Sequence, residues 1–395
     1  MKVPLLDLKQ QYQSLKKELD EAVLHVAESQ HFILGPEVEK MEKEFCEYLN
    51  CKHAIGVSSG TDALLLALMA IDLKPGDEVI VPTYSFFATA GVVSRLNAIP
   101  VFADIDPVSF NISVDEVKKK ITPKTKAIIP VHLYGQSSAM EIIMRLANDN
   151  NIMVIEDAAQ AIGTQYKDGS FVGTLGDIGC FSFFPSKNLG GYGDGGLVTT
   201  NNDELAHMIK IKRVHGGEQK YYHKVIGGNF RIDALQAAVL RVKLPYLDKW
   251  SEKRRANAEY YNQLFIKAGL AEGTGRTKFD EKNRVLLPKA IYKTLSQSSK
   301  KDISNYHIYN QYIIRVQNRD ELKKFLTENE IGTEIYYPVP FHLQECFADL
   351  KYKEGDFPEA EEACSTSLAI PVFPELTKEQ QQFVVIKIKE FMQKK

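Results

Sequence analysis

The chain has 395 residues, of which 44% are hydrophobic and 25% are charged, a balance typical of a folded globular protein. Its 49 basic and 51 acidic residues leave a net charge of −2, so we expect no electrostatic attraction to nucleic acid or to an anionic membrane. The length favours a large domain accompanied by a smaller one, and no apolar run approaches the roughly 20 residues that cross a bilayer.

The N-terminal segment and the cysteines favour a cytoplasmic location. Asp7 and Lys9 interrupt the short apolar patch at the start, so we expect no signal peptide. The cysteines number five, lie far apart in most cases and form no CxxC pair, which predicts reduced thiols. The same spacing argues against a structural zinc site, and we expect no bound metal.

Hydrophobic periodicity predicts two N-terminal helices, over 8–30 and from 36 to about 49, and then an alternation of strands and helices. The alternating elements are predicted as strand 54–58, helix 61–71, strand 78–82, helix 86–96, strand 99–105, helix 114–120, strand 126–133, helix 138–149 and strand 152–158. This order predicts a mostly parallel sheet covered by helices on both faces.

The rest of the chain predicts the end of that sheet and a smaller α/β unit. The predicted elements are strands at 179–184 and 196–200, a helical stretch over 232–268 kinked or broken at Pro245, a polar loop within 272–305, strand 309–316, helix 319–329, strand 331–336 and a helix near 377–392. We therefore expect a large domain at 1–245 and a small domain at 246–395.

The first segment that suggests chemistry lies between a predicted strand and helix and reads Ser58-Ser59-Gly60-Thr61-Asp62-Ala63-Leu64. Free backbone N–H groups at a helix N-terminus bind phosphate. Gly60 allows close approach, and Thr61 can donate from its hydroxyl and its amide. Taken alone, the segment favours an ordinary helix N-cap, which serine and threonine often provide.

A second segment, Glu156-Asp157-Ala158-Ala159-Gln160, follows a buried strand. In open α/β sheets the carboxyl ends of the strands are where ligands bind. An ionised aspartate at that edge can hydrogen-bond a protonated ring nitrogen and so keep a cofactor ring electron-withdrawing. A helix cap or a surface pair is an equally good interpretation of the segment in isolation.

Two further segments carry a lysine and an Asn–Arg pair. The amine of Lys187 follows a strand and precedes a glycine-rich turn, so it can point into a cleft and form a Schiff base with an aldehyde. Ser182 can supply a hydroxyl to a phosphate bound by the segment that contains Gly60 and Thr61. Asn229 and Arg231 open the long predicted helix, where they suit an anion. The ordinary alternatives are an exposed lysine and a helix cap.

One glycine motif is rejected as a dinucleotide site. Gly191, Gly193 and Gly196 match the spacing G-x-G-x-x-G. That site requires a helix after the motif, whereas the residues after Gly196 are β-like. The glycines are therefore expected to form a tight turn after Lys187.

With these segments in this order, the chain resembles the DegT/DnrJ/EryC1/StrS family of sugar aminotransferases that depend on pyridoxal 5′-phosphate (PLP). The resemblance covers nearly the whole length, and it rests on the motifs VSSGTDAL, GDEVIVPTYSFFAT, PVHLYGQ, VIEDAAQAIG, FSFFPSKNLG, GDGGLV and GGNFRIDALQAAVLRVKLPYLD. It implies an α/β fold of the aspartate-aminotransferase type (PLP fold type I) and a homodimer with active sites at the subunit interface.

The resemblance also implies a role for each matching residue. Lys187 would be the Schiff-base lysine and general acid–base, and Asp157 would face the ring nitrogen. The other cofactor contacts implied are Gln160 at the phenolic oxygen, Phe86 on the ring face, Gly60, Thr61 and Ser182 at the phosphate, and Asn229 at the phosphate of the neighbouring subunit. Phe86 is the least secure by residue type, because it could equally belong to the core.

The activity implied is transfer of an amino group from glutamate, through pyridoxamine phosphate (PMP), to a keto-sugar linked to UDP or dTDP. The motifs PVHLYGQ and YYPVPFHLQ resemble those of family members that act on 3-keto sugars more than those of members that act on 4-keto sugars, so the resemblance implies amination at carbon 3. The candidate substrate contacts are His215, Arg231, Tyr309, Tyr337 and His342, each of which alone is more often a packing or surface residue.

Two other functions on the same fold are less favoured. A sugar dehydratase of this family has histidine in place of the Schiff-base lysine, and this chain has Lys187. A regulator without catalytic activity is expected to have lost the cofactor residues, whereas Asp157 and Ser182 are also present.

Overall fold

The computed structural model describes residues 1–293 and 303–394. The end of the loop predicted within 272–305 therefore lies outside the described residues. The helices are α1 (Leu8–Ser29), α2 (Pro36–Leu49), α3 (Gly60–Ala70), α4 (Ala88–Arg95), α5 (Val114–Lys120), α6 (Met140–Asn150), α7 (Asp203–Arg213), α8 (Ala234–Lys243), α9 (Leu247–Lys267), α10 (Arg319–Glu328), α11 (Pro358–Thr366) and α12 (Lys378–Gln393). No helix within these ranges is long and apolar enough to cross a membrane.

A seven-stranded sheet forms the centre of the molecule. Its strands are β1 (His53–Val57), β2 (Glu78–Pro82), β3 (Ile99–Ala103), β4 (Thr125–Ile128), β5 (Met153–Asp157), β6 (Ile178–Ser182) and β7 (Gly196–Thr200). Their order is β1-β7-β6-β5-β4-β2-β3, and only β7 runs antiparallel to its neighbours. The predicted mostly parallel sheet is confirmed. Its strands are apolar on both sides because helices cover both faces.

A smaller antiparallel sheet lies in the C-terminal part of the chain. It consists of β10 (Val285–Leu286), β11 (Tyr312–Val316) and β12 (Ser367–Ile370), in the order β10-β11-β12. Its apolar side packs with α9, α10 and α12 in a second hydrophobic cluster, which also includes Val3. A two-stranded hairpin, β8 (Gly217–Gln219) and β9 (Tyr222–His223), projects separately.

The break predicted at Pro245 is confirmed. Helix α8 ends at Lys243, a short 3₁₀ turn covers Leu244–Tyr246, and α9 begins at Leu247. Proline lacks the N–H that a continuous helix would need at this point. The division into domains at 245/246 stays a prediction.

The strand predicted at 331–336 is wrong. This segment makes only single bridges, from Ile331 to Val3 and from Glu334 to Ala369. Its backbone makes scattered bonds instead. The amide of Gly332 donates to the carbonyl of Val3, Glu334 pairs with Ala369, and the carbonyl of Tyr336 accepts from the hydroxyls of Tyr84 and Tyr134. These isolated contacts do not form the continuous ladder of a strand.

Candidate active site

Three segments with predicted chemistry meet at one edge of the central sheet. Strand β5 ends at Asp157, β6 ends at Ser182, and β1 ends at Val57 just before Ser58. Because β1, β5 and β6 run in the same direction, their carboxyl ends lie together. Lys187 lies in the connection from β6 to β7, which starts and finishes at this edge.

The start of α3 and the end of β6 form a narrow cradle. A Cβ atom added to Gly60 would lie 2.7 Å from the Cβ of Ser182 and 3.2 Å from its hydroxyl oxygen. The side chain of Ser59 caps the helix by accepting a hydrogen bond of 3.0 Å from the amide of Asp62. The capping interpretation is thus correct for Ser59, while Gly60 and Thr61 begin the helix beside Ser182. The cradle has the free N–H groups and the hydroxyl that a phosphate needs.

Asp157 is buried, with 4% of its surface exposed, and both of its carboxylate oxygens have a donor. Thr89 Oγ1 donates to Oδ2 at 2.8 Å, and the amide of Ala159 donates to Oδ1 at 3.2 Å. Burial raises the pKa of Asp157 above its usual value, and these two hydrogen bonds and the charge of Lys187 lower it. Hydrogen bonds to both oxygens therefore fix the carboxylate. Thr89, Ala159 and Lys187 favour its ionised form against the effect of burial.

Lys187 is half-buried, and its backbone amide donates to the carbonyl of Phe184 at 2.9 Å. Burial lowers the pKa of its amine to about 8, while the negative charge of Asp157 acts in the opposite direction. The two side chains are therefore close enough to influence each other electrostatically. An amine with this pKa is partly neutral near physiological pH, which is the state that reacts with an aldehyde.

Gln160, Tyr337 and Phe86 are brought together beside Asp157. The amide of Gln160 donates to the hydroxyl of Tyr337 at 3.1 Å, and its oxygen accepts from the amide of Tyr134 at 2.8 Å. The ring centroids of Phe86 and Tyr337 are 6.3 Å apart. Phe86 is 58% exposed, so it is not a core residue and its face is open to a flat ligand.

The segment that contains Asn229 and Arg231 lies along the end of β1. Arg231 forms a bridge with Val57, and the amide of Ser58 donates to the carbonyl of Phe230 at 2.9 Å. Arg231 Nε donates to Asn229 Oδ1 at 2.8 Å, and the side chain of Asn229 is exposed. Asn229 and Arg231 therefore lie beside the cradle of the same chain, and the side chain of Asn229 is open to solvent.

His215 is likewise exposed, and its amide donates to the carbonyl of Gly228 at 2.9 Å, close to Asn229. The hairpin formed by β8 and β9 follows it directly.

Tyr309 and His342 are not brought to this site. Tyr309 is 5% exposed, lies in the second hydrophobic cluster and stacks on His307 with 3.8 Å between ring centroids. His342 is 3% exposed and lies 3.0 Å from the hydroxyl of Thr83 and 2.9 Å from a carboxylate oxygen of Glu361. Both side chains pack against protein in the structure, so neither offers a surface to a substrate there.

Sequence analysis missed several residues that hold the site together. Thr89 contacts Asp157, and the hydroxyl oxygens of Tyr84 and Tyr134 lie 2.8 Å apart beside the backbone of Tyr336. His132 Nδ1 accepts from the amide of Ser138, so its Nε2 donates to Glu156 at 2.8 Å. Thr89 and Tyr84 lie within the motif that contains Phe86, but nothing in the sequence indicated which of its polar residues face the β5 end.

The lysine loop is also tied to the C-terminal part of the chain. Asn188 donates to the carbonyl of Ile308 at 3.0 Å and accepts from the side chain of Asn310 at 2.8 Å. Both asparagines are buried. The residue next to Lys187 is therefore fixed to the segment that leads into β11.

Comparison with known proteins gives matches over nearly the whole chain. The model of the DegT/DnrJ/EryC1/StrS aminotransferase family matches residues 13–389. A pleiotropic regulatory protein of Geobacillus stearothermophilus is 50% identical over 99% of both chains. A UDP-N-acetyl-3-dehydro-α-D-glucosamine 3-aminotransferase of Acidithiobacillus ferrooxidans is 40% identical, over 96% of this chain and 95% of that protein.

Solved structures agree as well. The crystal structure of S. venezuelae DesV in complex with a ketimine intermediate has a TM-score of 0.88 and 38% identity, over 99% of this chain and 98% of that one. Solved relatives also include a form with bound PMP. The family resemblance and the fold class inferred from the sequence are confirmed: the chain belongs to the DegT/DnrJ/EryC1/StrS aminotransferase family.

Proposed function

We propose that this chain is a PLP-dependent aminotransferase that moves the amino group of glutamate to carbon 3 of a keto-sugar linked to UDP or dTDP. The observation that carries the proposal is the pairing of Lys187 with Asp157 at the sheet edge, beside the cradle of Gly60 and Ser182. Family membership supports the aminotransferase activity. The 3-aminotransferase relative supports carbon 3 and a UDP-sugar.

The residues at the edge fit the shape and charge of PLP. The cradle suits its phosphate, because a side chain at position 60 would fill the space in front of Ser182. Asp157 would face the ring nitrogen, Gln160 the phenolic oxygen, and Phe86 the ring face. When bound, PLP supplies an electron-withdrawing ring that stabilises negative charge at the substrate carbon.

Lys187 carries the proton-transfer role in this proposal. Burial lowers the pKa of its amine to about 8, so the amine both holds a proton and releases it near neutral pH. The charge of Asp157 keeps that pKa from falling further. Asn188, fixed on both sides by hydrogen bonds, orients the lysine backbone. Tyr337 and Phe86, whose ring centroids are 6.3 Å apart, line the site next to Gln160.

We also propose that the enzyme is a homodimer with shared sites, working in the cytoplasm on amino sugars for surface glycans or lipopolysaccharide. The exposed Asn229 and His215, with Arg231 beside them, supply polar groups that a neighbouring subunit's phosphate and sugar diphosphate require. The thiols found in the described residues are all free, which suits a reducing compartment.

The experiment that tests the function offers purified protein a panel of 3-keto and 4-keto sugars, each linked to UDP or dTDP, with glutamate. We expect amination at carbon 3, identified by NMR of the product, and loss of product with Lys187→Ala. Amination of 4-keto sugars alone would move the assignment to carbon 4, and no amination of any sugar by a protein that binds PLP would overturn the sugar-transfer proposal.

A regulatory function is the second candidate, because the 50% identical relative is named a pleiotropic regulatory protein. That function requires no turnover. The first half-reaction separates the two functions: glutamate alone should convert bound PLP to PMP with release of 2-oxoglutarate if the chain is an enzyme, and should leave the visible spectrum unchanged if it is only a regulator.

A further inference from the structure

The buried hydroxyl of Thr89 contacts Asp157, the carboxylate proposed to face the ring nitrogen. Thr89 is 0% exposed and is the second residue of α4. Its Oγ1 lies 2.8 Å from Asp157 Oδ2 and 3.1 Å from Ser85 Oγ, and Ser85 is 3% exposed. Two neutral hydroxyls and one carboxylate therefore form a buried chain without solvent contact.

The direction of the hydrogen bonds in this chain follows from the number of hydrogens. An ionised carboxylate only accepts, so the single hydroxyl hydrogen of Thr89 must point at Asp157. The contact between Thr89 and Ser85 must then be donated by Ser85. An ionised carboxylate thus requires the order Ser85 to Thr89 to Asp157, and hydrogen bonds to a charged group are the stronger kind.

We propose that Thr89 is a positioning residue that holds Asp157 ionised and aimed at the ring nitrogen of the cofactor, with Ser85 orienting the Thr89 hydroxyl. This inference rests on the proposed PLP-dependent function. The hydroxyl fixes one oxygen of Asp157 while the amide of Ala159 fixes the other at 3.2 Å. The carboxylate cannot rotate without breaking one of these bonds.

The other groups around Asp157 leave this role open to Thr89. The positive charge of Lys187 lowers the pKa of Asp157, but the proposed reaction uses that charge. His132 carries no charge while its Nδ1 accepts from the amide of Ser138, and its Nε2 is bonded to Glu156. Cys180 and Tyr337 have raised pKa values because they are buried and close to Asp157, so both stay neutral. The nearby carboxylate of Glu156 is already satisfied by His132 and by the amides of Gly173, Leu175 and Gly176.

The test replaces Thr89 by valine, which keeps its shape and removes the hydroxyl. Losing a hydrogen bond to a charged group predicts that kcat falls about 10–100-fold with a KM for glutamate within about threefold of the wild type. Because the hydroxyl lowers the pKa of Asp157, its removal raises that pKa. The acid limb of the kcat profile should therefore move to higher pH. Thr89→Ser keeps the hydroxyl, so it should retain most of the activity and leave the acid limb of the kcat profile at its wild-type pH.

A matched control is Thr199→Val on β7. Thr199 is also 0% exposed and donates its hydroxyl to the carbonyl of Gly173, so the change likewise removes one buried hydroxyl bond, but from a neutral acceptor. It should cost thermal stability without moving the acid limb. A second variant, Ser85→Ala, should move the limb in the same direction as Thr89→Val by a smaller amount.

The outcomes separate this inference from the proposed function. A wild-type protein that neither binds PLP nor converts glutamate overturns the function itself. If the wild type turns over and Thr89→Val keeps its kcat and acid limb, only the role of Thr89 is overturned. The same conclusion follows if Thr89→Ser is as impaired as the valine variant, or if Thr199→Val moves the limb equally.

Discussion

At the scale of single residues, the site depends on two opposite charges placed where water is largely excluded. The amine of Lys187 has a pKa lowered by burial, and the carboxyl of Asp157 has a pKa raised by burial. Each is pushed towards neutrality and each is held back by the charge of the other. This balance makes the protonation of both groups sensitive to a neighbour, which is what proton transfer near neutral pH requires.

The pKa of Lys187 predicts how PLP uptake depends on pH. In protein without cofactor, the neutral amine of Lys187 would react with the aldehyde of added PLP. The neutral fraction of this amine grows as pH rises towards about 8. The initial rate of uptake should therefore increase about tenfold per pH unit below that value and level off above it. Stopped-flow absorbance on adding PLP measures the rate. A rate that keeps rising to about pH 10, as for an ordinary lysine, would contradict the assignment.

The acid at the other end of the pair gives a second test at this scale. Asp157→Asn keeps the shape of the side chain and removes its charge, so the ring nitrogen loses its ionised partner. We expect PLP to bind more weakly and the glutamate half-reaction to slow about 100-fold or more. Cofactor titration and single-turnover absorbance measure the two effects. Unchanged rates in both would remove Asp157 from its assigned role.

At the scale of elements, the central sheet brings together most of the residues of the site. Strands β1, β5 and β6 are far apart in sequence, yet their parallel directions put Gly60, Asp157 and Ser182 at one edge. The alternation of apolar strands and helices predicted this sheet, and the motifs predicted which residues stand at its edge. Neither showed Thr89 or Tyr134, because side chains that meet only through the fold leave no spacing in the sequence.

The elements that sequence analysis did not predict have a similar explanation. Helix α7 has an ordinary cap, since Asn202 accepts from the amides of Glu204 and Leu205, but its charged residues weaken the apolar period. Strand β12 is four residues long and follows α11 directly, which leaves no turn to mark it. The segment 331–336 shows the converse, since a sequence that resembled a strand makes only single bridges and no ladder.

The junction of α3 with β6 predicts the effect of filling the cradle. Gly60→Ala adds a Cβ that would lie 2.7 Å from the Cβ of Ser182, so the helix start must move away from the hydroxyl. PLP should bind about tenfold more weakly or worse. Gly273→Ala is a suitable control, because nothing lies within 4 Å of its added Cβ. Fluorescence titration with PLP compares the two variants. Equal affinity for both would show that the cradle does not hold the phosphate.

At the scale of the whole molecule, the family membership covers residues 13–389, so nearly the entire chain serves one function. One hydrophobic cluster packs against the central sheet, and another in the C-terminal part includes Val3 from the start of the chain. The residues proposed for the sugar and the neighbouring phosphate, His215 and Asn229, lie outside both clusters and are exposed. Their exposure in a single chain is what a shared site predicts.

Shared sites can be tested by mixing two inactive variants. In a dimer of one Lys187→Ala subunit and one Asn229→Ala subunit, one site carries both changes and the other carries neither, provided that Asn229 acts across the interface. Refolding an equal mixture should then restore up to roughly a quarter of the wild-type activity. Each variant refolded alone is the control. No recovery in a mixture shown to contain mixed dimers would place Asn229 in its own subunit's site.

The hydrogen bonds that join Asn188 to Ile308 and Asn310 have a mechanical consequence. A segment bonded at two points cannot slide past its neighbour without carrying it along. A displacement of the chain that enters β11 would therefore be passed to Asn188, so the backbone beside Lys187 is mechanically coupled to the C-terminal sheet. A movement of the C-terminal part over a bound substrate would then also shift the backbone that carries Lys187.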